Sequence, residues 1–148
     1  MVTAPEAPLV QPFGRLSLGT KVSLALEVLT AYMRVRWLLA RRGLPEAVRT
    51  LRGGLAAHNV AESEQLLRAS GARCGWAVVR VLRLLPTDGR CLMRSLVLAA
   101  LLARRGIFGR LVIGVRPDPS FAAHAWIEVD GEPVLATDRQ EFQRLLEL

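Results

Sequence analysis

The stretch "DGRCLMRSLVLAALLARRG" places a cysteine, Cys91, at the start of an apolar helical segment. The reactive form of cysteine is the thiolate, which the positive end of a helix dipole and the unpaired N–H groups of the first turn stabilise. If Asp88 caps this helix, Cys91 falls in its first turn, where the same N–H groups can bind an oxyanion. The position therefore predicts a nucleophile, although a lone cysteine more often only packs in a core.

A histidine that could serve as the base follows on a predicted strand. His124 opens the segment "HAWIEV", in which Trp126 and Glu128 share its face of the strand. A single histidine at the start of a strand is more often a structural residue. Together with Cys91, however, it supplies the thiol and the imidazole that nucleophilic catalysis by cysteine requires.

The carboxylate that would orient this imidazole depends on the register of the hairpin that follows. A two-residue turn at Asp130–Gly131 places Thr137 opposite His124, whereas a loop one residue longer places Asp138 there. Directly opposed side chains share a face of the sheet, with Cβ atoms about 5 Å apart. We expect the longer loop and therefore Asp138 as the orienting acid. Glu128 is a weaker candidate, since it lies about 7 Å along the strand from His124.

A helix and a sheet are needed to bring these residues together, and the hydrophobic periodicity predicts both. Apolar residues recur at three- and four-residue spacing in the first part of the chain and alternate in the later part. We predict helices over 21–42, 44–58, 61–86 and 91–105, a strand over 109–117, a β-hairpin over 122–138 and a short helix over 139–148.

This order of elements, helices first and then an antiparallel sheet, predicts an α+β fold. The helix that starts at Cys91 is apolar almost throughout, so we expect it to be the central helix against the sheet. We predict an irregular arm over 1–19, a helical subdomain over 20–85 and a catalytic core over 86–148.

Composition narrows the class of protein further. The 148 residues suffice for one domain with a real core, and a hydrophobic content of 51% excludes a disordered chain. No run of 18 uninterrupted apolar residues and no secretory signal is present, so we expect a cytoplasmic protein without a membrane partner. The two cysteines and two histidines lie at spacings unrelated to metal ligation, so we expect no metal and no cofactor.

The net charge is +7, and every basic residue except Lys21 is an arginine. A basic surface can attract nucleic acid or an acidic partner. Here the arginines are scattered and aromatic residues do not alternate with them, as they do on a stacking platform for bases. This pattern favours solvated helix faces over a nucleic-acid interface.

The segment "CLMRSLVLAALLARRGIFGRLVIGVRPDPSFAAHAWIEVDGEPV" resembles the transglutaminase-like leader peptidases of lasso-peptide biosynthesis. The resemblance covers residues 76–138. It depends on Cys91 with Arg94–Ser95, on Gly106 at the helix end, on the strand "LVIGVR" and on the block His124–Trp126. It implies a papain-like arrangement in the chain order of transglutaminases, with a central helix on a small antiparallel sheet.

For the site, the resemblance implies that Cys91 is the nucleophile, His124 the base and Asp138 the orienting acid. Arg94 and Trp126 are the candidates for substrate contacts, although Arg94 can equally cap and solvate the helix, and Trp126 can shield the site from water.

For the function, the resemblance implies a cysteine peptidase that removes the leader from a ribosomally made precursor. Its partners are then the precursor's leader peptide, a separate small leader-binding protein and a separate ATP-dependent lasso cyclase. The helical subdomain over 20–85 is then expected to dock the leader-binding protein and the leader. Two alternatives remain: a transglutaminase-like acyl transferase, and a catalytically silent binding module of the same fold.

Overall fold

The computed structural model of the protein describes residues 17–53, 64–86, 90–135 and 142–148. Within these residues, helices are followed by a four-stranded antiparallel sheet. The elements are α1 (Leu18–Gly53), α2 (Glu64–Leu82), α3 (Arg90–Ala103), β1 (Arg110–Arg116), β2 (Ala122–Val129), β3 (Glu132–Pro133) and β4 (Gln143–Glu147). The α+β fold predicted from the sequence is confirmed.

Helix α1 is kinked at Gly43, which is where the first predicted helix ends. Gly43 has φ 72° and ψ 175°, a left-handed conformation that glycine adopts without steric penalty. Pro45 follows in the first turn of the second part, where no helical hydrogen bond needs its missing N–H. The helix predicted over 21–42 is therefore present, and the one predicted over 44–58 is present as far as Gly53, joined to it by this kink. Residues 54–58 lie outside the described residues.

Helix α2 is continuous through two glycines, Gly71 and Gly75. A Cβ atom on Gly75 would collide with the side chain of Leu135, and one on Gly71 would lie 3.3 Å from Val134 Cγ1. The glycines therefore let the segment after β3 pack closely against α2.

Helix α3 is the central helix; it ends at Ala103, two residues before the predicted end, and Gly106 caps it. Gly106 has φ 73°, its N–H donates to the carbonyl of Ala103 at 3.0 Å, and the next N–H, of Ile107, donates to the carbonyl of Leu102 at 3.0 Å. This is the hydrogen-bond pattern of a Schellman C-cap. Most of α3 is buried between the other helices and the sheet.

The strand order is β3-β2-β1-β4. One face of the sheet packs into the core through Leu111, Ala125 and Ile127. The alternate residues of β2, among them His124 and Trp126, therefore lie on the other face.

The predicted three-residue hairpin loop is wrong. Glu128 pairs with Pro133 and Val129 with Glu132, so the turn contains only Asp130 and Gly131. Both turn residues have positive φ, 52° for Asp130 and 81° for Gly131, as a type I′ turn requires. The register that would place Asp138 directly opposite His124 is thus not the one the hairpin adopts.

The predicted C-terminal helix is also wrong, because Gln143–Glu147 forms β4. Its residues are exposed, so burial of an apolar face does not select the strand. Backbone pairing with the free edge of β1 selects the strand. The N–H groups of Leu111 and Leu148 each donate to the other residue's carbonyl at 2.8 Å.

A single cluster of buried apolar side chains joins the helices to the sheet. It includes Val35 of α1, Val78 of α2, Leu101 of α3 and Leu111 of β1. The core is therefore continuous across the boundary predicted near residue 86, and the division into subdomains stays a prediction. No helix in the described residues is long and apolar enough to span a membrane.

Candidate active site

Cys91 and His124 line the same cleft, which has a volume of about 330 Å³. The cleft lies between α2, the first half of α3, the middle of β2 and the segment after β3. Its lining residues are Val79, Cys91, Arg94, Ser95, Leu98, His124, Ala125, Trp126, Ile127 and Leu135. Four of the five residues that sequence reasoning assigned to the site therefore meet here; the fifth, Asp138, lies outside the described residues.

The wall formed by α3 places a thiol in the first turn of a helix, as predicted. Helix α3 begins at Arg90, and Cys91 is half-buried. Arg94, Ser95 and Leu98 follow at three- and four-residue spacing, which puts them on the same face of the helix as Cys91. The predicted cap, Asp88, lies outside the described residues.

A buried hydrogen bond fastens this face of α3 to β2. Ser95 is 5% exposed, and its hydroxyl donates to the carbonyl oxygen of Ala125 at 2.9 Å. The contact lies one helical turn after Cys91 and one residue after His124 in β2. It therefore fixes the two elements to each other beside both candidate catalytic side chains.

The imidazole ring of His124 contacts two aromatic rings, those of Trp126 and Phe142. Its ring stacks on Trp126 with a centroid distance of 6.0 Å and meets Phe142 at 5.3 Å. Gly114, the β1 partner of His124, leaves room for both side chains, because a Cβ atom there would lie 2.9 Å from the Trp126 ring and 2.9 Å from the Cβ atom of Phe142. Burial lowers the pKa of His124 below its ordinary value of 6.5, so the imidazole is neutral at pH 7 and can accept a proton.

Trp126 is held in place by a carboxylate further along the same strand. Its indole N–H donates to Glu128 Oε1 at 2.9 Å, and Arg144 of β4 pairs with both oxygens of Glu128 at 2.8 and 3.1 Å. Trp126 and Glu128 are both 4% exposed. Glu128 thus anchors Trp126 and joins β2 to β4, and the predicted contact of Trp126 with substrate stays a prediction.

Arg94 contributes a positive charge to the cleft. The side chain is half-buried, and its buried Nε has no hydrogen-bond partner. The structure shows no ion pair of Arg94 within the described ranges. Its guanidinium can therefore bind a carboxylate or a carbonyl oxygen of a ligand.

Sequence reasoning missed the residues that reach the site from distant parts of the chain. Phe142 and Arg144 were assigned to a helix. Leu135 was expected opposite Ile127 in the core, but Val134 donates to the Ile127 carbonyl, and Leu135 packs against Gly75 of α2. Among the described residues, no three His, Cys, Asp or Glu side chains come together as a metal site.

Comparison with known proteins identifies the fold family. A comparison with curated proteins gave no match, and neither did one with solved structures. A family model described as the transglutaminase-like superfamily matches residues 29–147, which extends well beyond the segment that carried the resemblance in the sequence. The chain therefore belongs to the transglutaminase-like superfamily.

Proposed function

We propose that this protein is a cysteine peptidase that removes the leader from a ribosomally synthesised lasso-peptide precursor. One observation carries the proposal: Cys91 in the first turn of α3 and His124 of β2 line one cleft in a transglutaminase-like chain. Thiol and imidazole on these two elements are the parts that a papain-like hydrolase needs. The identity of the substrate rests on the sequence resemblance alone.

In the proposed reaction, the Cys91 sulfur attacks the carbonyl carbon at the junction of leader and core. His124 takes the thiol proton and then passes it to the leaving amine, which becomes the free N-terminus of the core. The leader remains on Cys91 as a thioester. Water, deprotonated by His124, hydrolyses the thioester, which releases the leader as a free acid and restores the thiol.

The surroundings of the two groups suit this chemistry. The unpaired N–H groups at the start of α3 can stabilise the oxyanion that forms during attack. The lowered pKa of His124 keeps the base unprotonated at neutral pH. We propose that Asp138 orients His124; this role rests on the resemblance, because the hairpin register offers it no support.

We propose three peptide or protein partners for the reaction. The leader of the precursor is the substrate, and a separate leader-binding protein delivers it. A separate ATP-dependent cyclase then joins the freed core amine to an acidic side chain. Arg94 is proposed to contact the precursor, because it lines a cleft that is otherwise mostly apolar and its buried Nε has no hydrogen-bond partner.

Mass spectrometry of the products tests the proposal directly. Precursor, leader-binding protein and this chain are mixed without the cyclase, and the leader and core are identified. The expected products are a leader with a free C-terminal acid and a core with a free amine. Cys91→Ala serves as the matched negative control. Intact precursor with the wild-type chain would contradict the proposal.

The superfamily also includes acyl transferases. The same experiment distinguishes acyl transfer from hydrolysis. If a primary amine such as putrescine is added and the leader is recovered as an amide, the chain is an acyl transferase. If neither product forms and iodoacetamide at pH 6 does not label Cys91, the cleft belongs to a silent binding module.

A further inference from the structure

Helix α1 carries a line of large apolar side chains that are exposed by 40 to 77%. We call these residues the α1 stripe: Leu18, Val22, Leu26, Leu29, Met33 and Trp37. Buried residues of the same helix, such as Val28 and Val35, lie on the opposite side, facing the core. Single exposed apolar residues are ordinary, but a contiguous patch marks a surface that another molecule covers.

The spacing of the stripe fits a partner helix. Its members form pairs eleven residues apart: Leu18 and Leu29, Val22 and Met33, Leu26 and Trp37. An eleven-residue repeat corresponds to about 3.67 residues per turn, so the stripe runs nearly parallel to the helix axis. At 1.5 Å per residue it is about 28 Å long. A straight, narrow stripe of this length suits the apolar face of another helix better than the broad surface of a bilayer.

The charges beside the stripe indicate which charges a complementary partner carries. Arg34 and Arg41 project on one side of it and Arg36 on the other, and all three residues are exposed. The only carboxylate in this part of α1, Glu27, is paired with Arg105 at 2.8 Å. The border of the stripe is therefore basic. A second copy of the chain would bring like charges together, whereas a partner with carboxylates beside its apolar residues would be complementary.

We propose that the α1 stripe is the docking surface for the separate leader-binding protein. That protein then presents an apolar helix face bordered by carboxylates. The identity of the partner rests on the proposed function; the chemistry of the surface does not. No member of the stripe lines the cleft that contains Cys91 and His124, so docking leaves that cleft open to the leader.

Binding measurements with the purified leader-binding protein test this proposal. We expect the double variant Leu26→Glu, Met33→Glu to weaken binding at least tenfold. Leu145→Glu is the matched control, since Leu145 is 68% exposed but lies in β4. It should bind as the wild type does. Arg34→Glu with Arg41→Glu should also weaken binding and reduce its dependence on salt. Circular dichroism melting checks that each variant is folded.

Four outcomes would overturn the proposal. The partner could fail to bind the wild type, or it could bind the stripe variants and the wild type equally well. Sedimentation could show a dimer that the stripe variants abolish. Flotation with phosphatidylglycerol vesicles could show membrane binding that depends on the stripe.

The failure of this proposal can be told from the failure of the proposed function. Binding needs no catalysis, so lost binding in the stripe variants together with an inactive wild type would leave the docking surface standing and remove the peptidase. If the stripe variants cleave as fast as the wild type when the partner is present, the peptidase proposal stands and the docking surface is wrong. Slow cleavage of a short junction peptide by the chain alone should be equal in all variants, because the stripe lies outside the cleft.

Discussion

Cys91 and Cys74 lie in two regions of the molecule that give the same side chain different surroundings. Cys91 is half-buried in the first turn of α3, in a cleft that also contains His124. Cys74 is in the interior of α2 and only 2% exposed. Burial raises the pKa of the Cys74 thiol; the charge of Arg105 lowers it, but by less.

A cleft alone does not distinguish the two cysteines. Cys74 lines a second cleft, of about 470 Å³, together with residues of α1 and with Arg105. Among the described residues that line that cleft there is no histidine. A reactive thiol needs the start of a helix and a base. Cys91 lies at the start of α3 and shares its cleft with His124, whereas Cys74 lies in the interior of α2. The two cysteines therefore differ in their position in a helix and in their neighbours, and substitution of each cysteine tests whether this difference decides reactivity.

The largest effect should come from removing each thiol in turn. Cys91→Ala is expected to lower leader cleavage by about a thousandfold or more, since it removes the nucleophile. Cys74→Ala should keep cleavage within about twofold and lower the free energy of unfolding by about 1 to 2 kcal/mol, because it leaves a small hole in the core. Cleavage rates and urea unfolding measure the two quantities. An inactive Cys74→Ala beside an active Cys91→Ala would reverse the assignment.

A smaller but direct comparison is the rate of alkylation. At pH 6, iodoacetamide should label Cys91 about a hundredfold faster than Cys74, because Cys91 is only half-buried, whereas Cys74 is 2% exposed and burial raises the pKa of its thiol. Peptide mapping of the labelled protein gives both rates in one sample. Equal, slow labelling of both cysteines would show that the start of α3 does not activate its thiol.

This contrast could be predicted from the sequence because its causes are local. The apolar run and Gly106 define α3, and the alternation around His124 defines β2; both elements are confirmed. The loop between β2 and β3 was mispredicted for an instructive reason. Asp130–Gly131 is a strong type I′ signal on its own, and the expectation that Asp138 should face His124 overrode it.

The C-terminal residues could not be predicted from local pattern. The segment "RQEFQRLLEL" has the composition of a helix, and the side chains of β4 are exposed. What makes it a strand is the unpaired edge of β1 and the ion pair of Arg144 with Glu128, which are distant in sequence. The aromatic ring of Phe142 beside His124 was missed for the same reason.

The hydrogen bond of Ser95 tests whether the relative position of α3 and β2 matters for the Cys91 site. Ser95→Ala removes the donor to Ala125 and leaves a buried carbonyl unsatisfied, which costs about 1 to 3 kcal/mol of stability. We expect kcat to fall about tenfold with little change in KM, because a small misplacement of reacting groups is costly. Thr50→Ala, which removes a hydroxyl bond within α1, is the control and should leave kcat unchanged. An equal loss of stability without any change in kcat would make Ser95 purely structural.

Glu128 and Asp138 allow a finer test of the base. Glu128→Gln removes the charge that pairs with Arg144, so it should lower stability by about 1 to 3 kcal/mol. Cleavage should stay within about threefold of wild type, since this carboxylate is bound by Trp126 and Arg144. Asp138→Asn should reduce cleavage more than Glu128→Gln and less than His124→Ala. If Glu128→Gln is as inactive as His124→Ala while Asp138→Asn is harmless, the assignment of Asp138 fails.

The smallest expected effect concerns the rings that shield His124. Because burial lowers the pKa of His124 below 6.5, the acid limb of kcat/KM should have its midpoint below pH 6.5 in the wild type. Phe142→Ala removes one ring but keeps the Cβ atom that packs over Gly114, so water gains access to the imidazole. The protonated form is then better solvated, and the midpoint should rise toward 6.5 without passing it.

This shift separates shielding from a general loss of structure. A purely destabilising variant lowers the amount of active enzyme at every pH and leaves the midpoint of the limb where it was. Leu145→Ala, at an exposed residue of β4 three positions after Phe142, is the control and should change neither the rate nor the midpoint. Were Phe142→Ala to move the midpoint to lower pH, the ring would be raising the pKa of the base. The link between burial of His124 and its neutral state, which sets the Cys91 cleft apart from that of Cys74, would then be wrong.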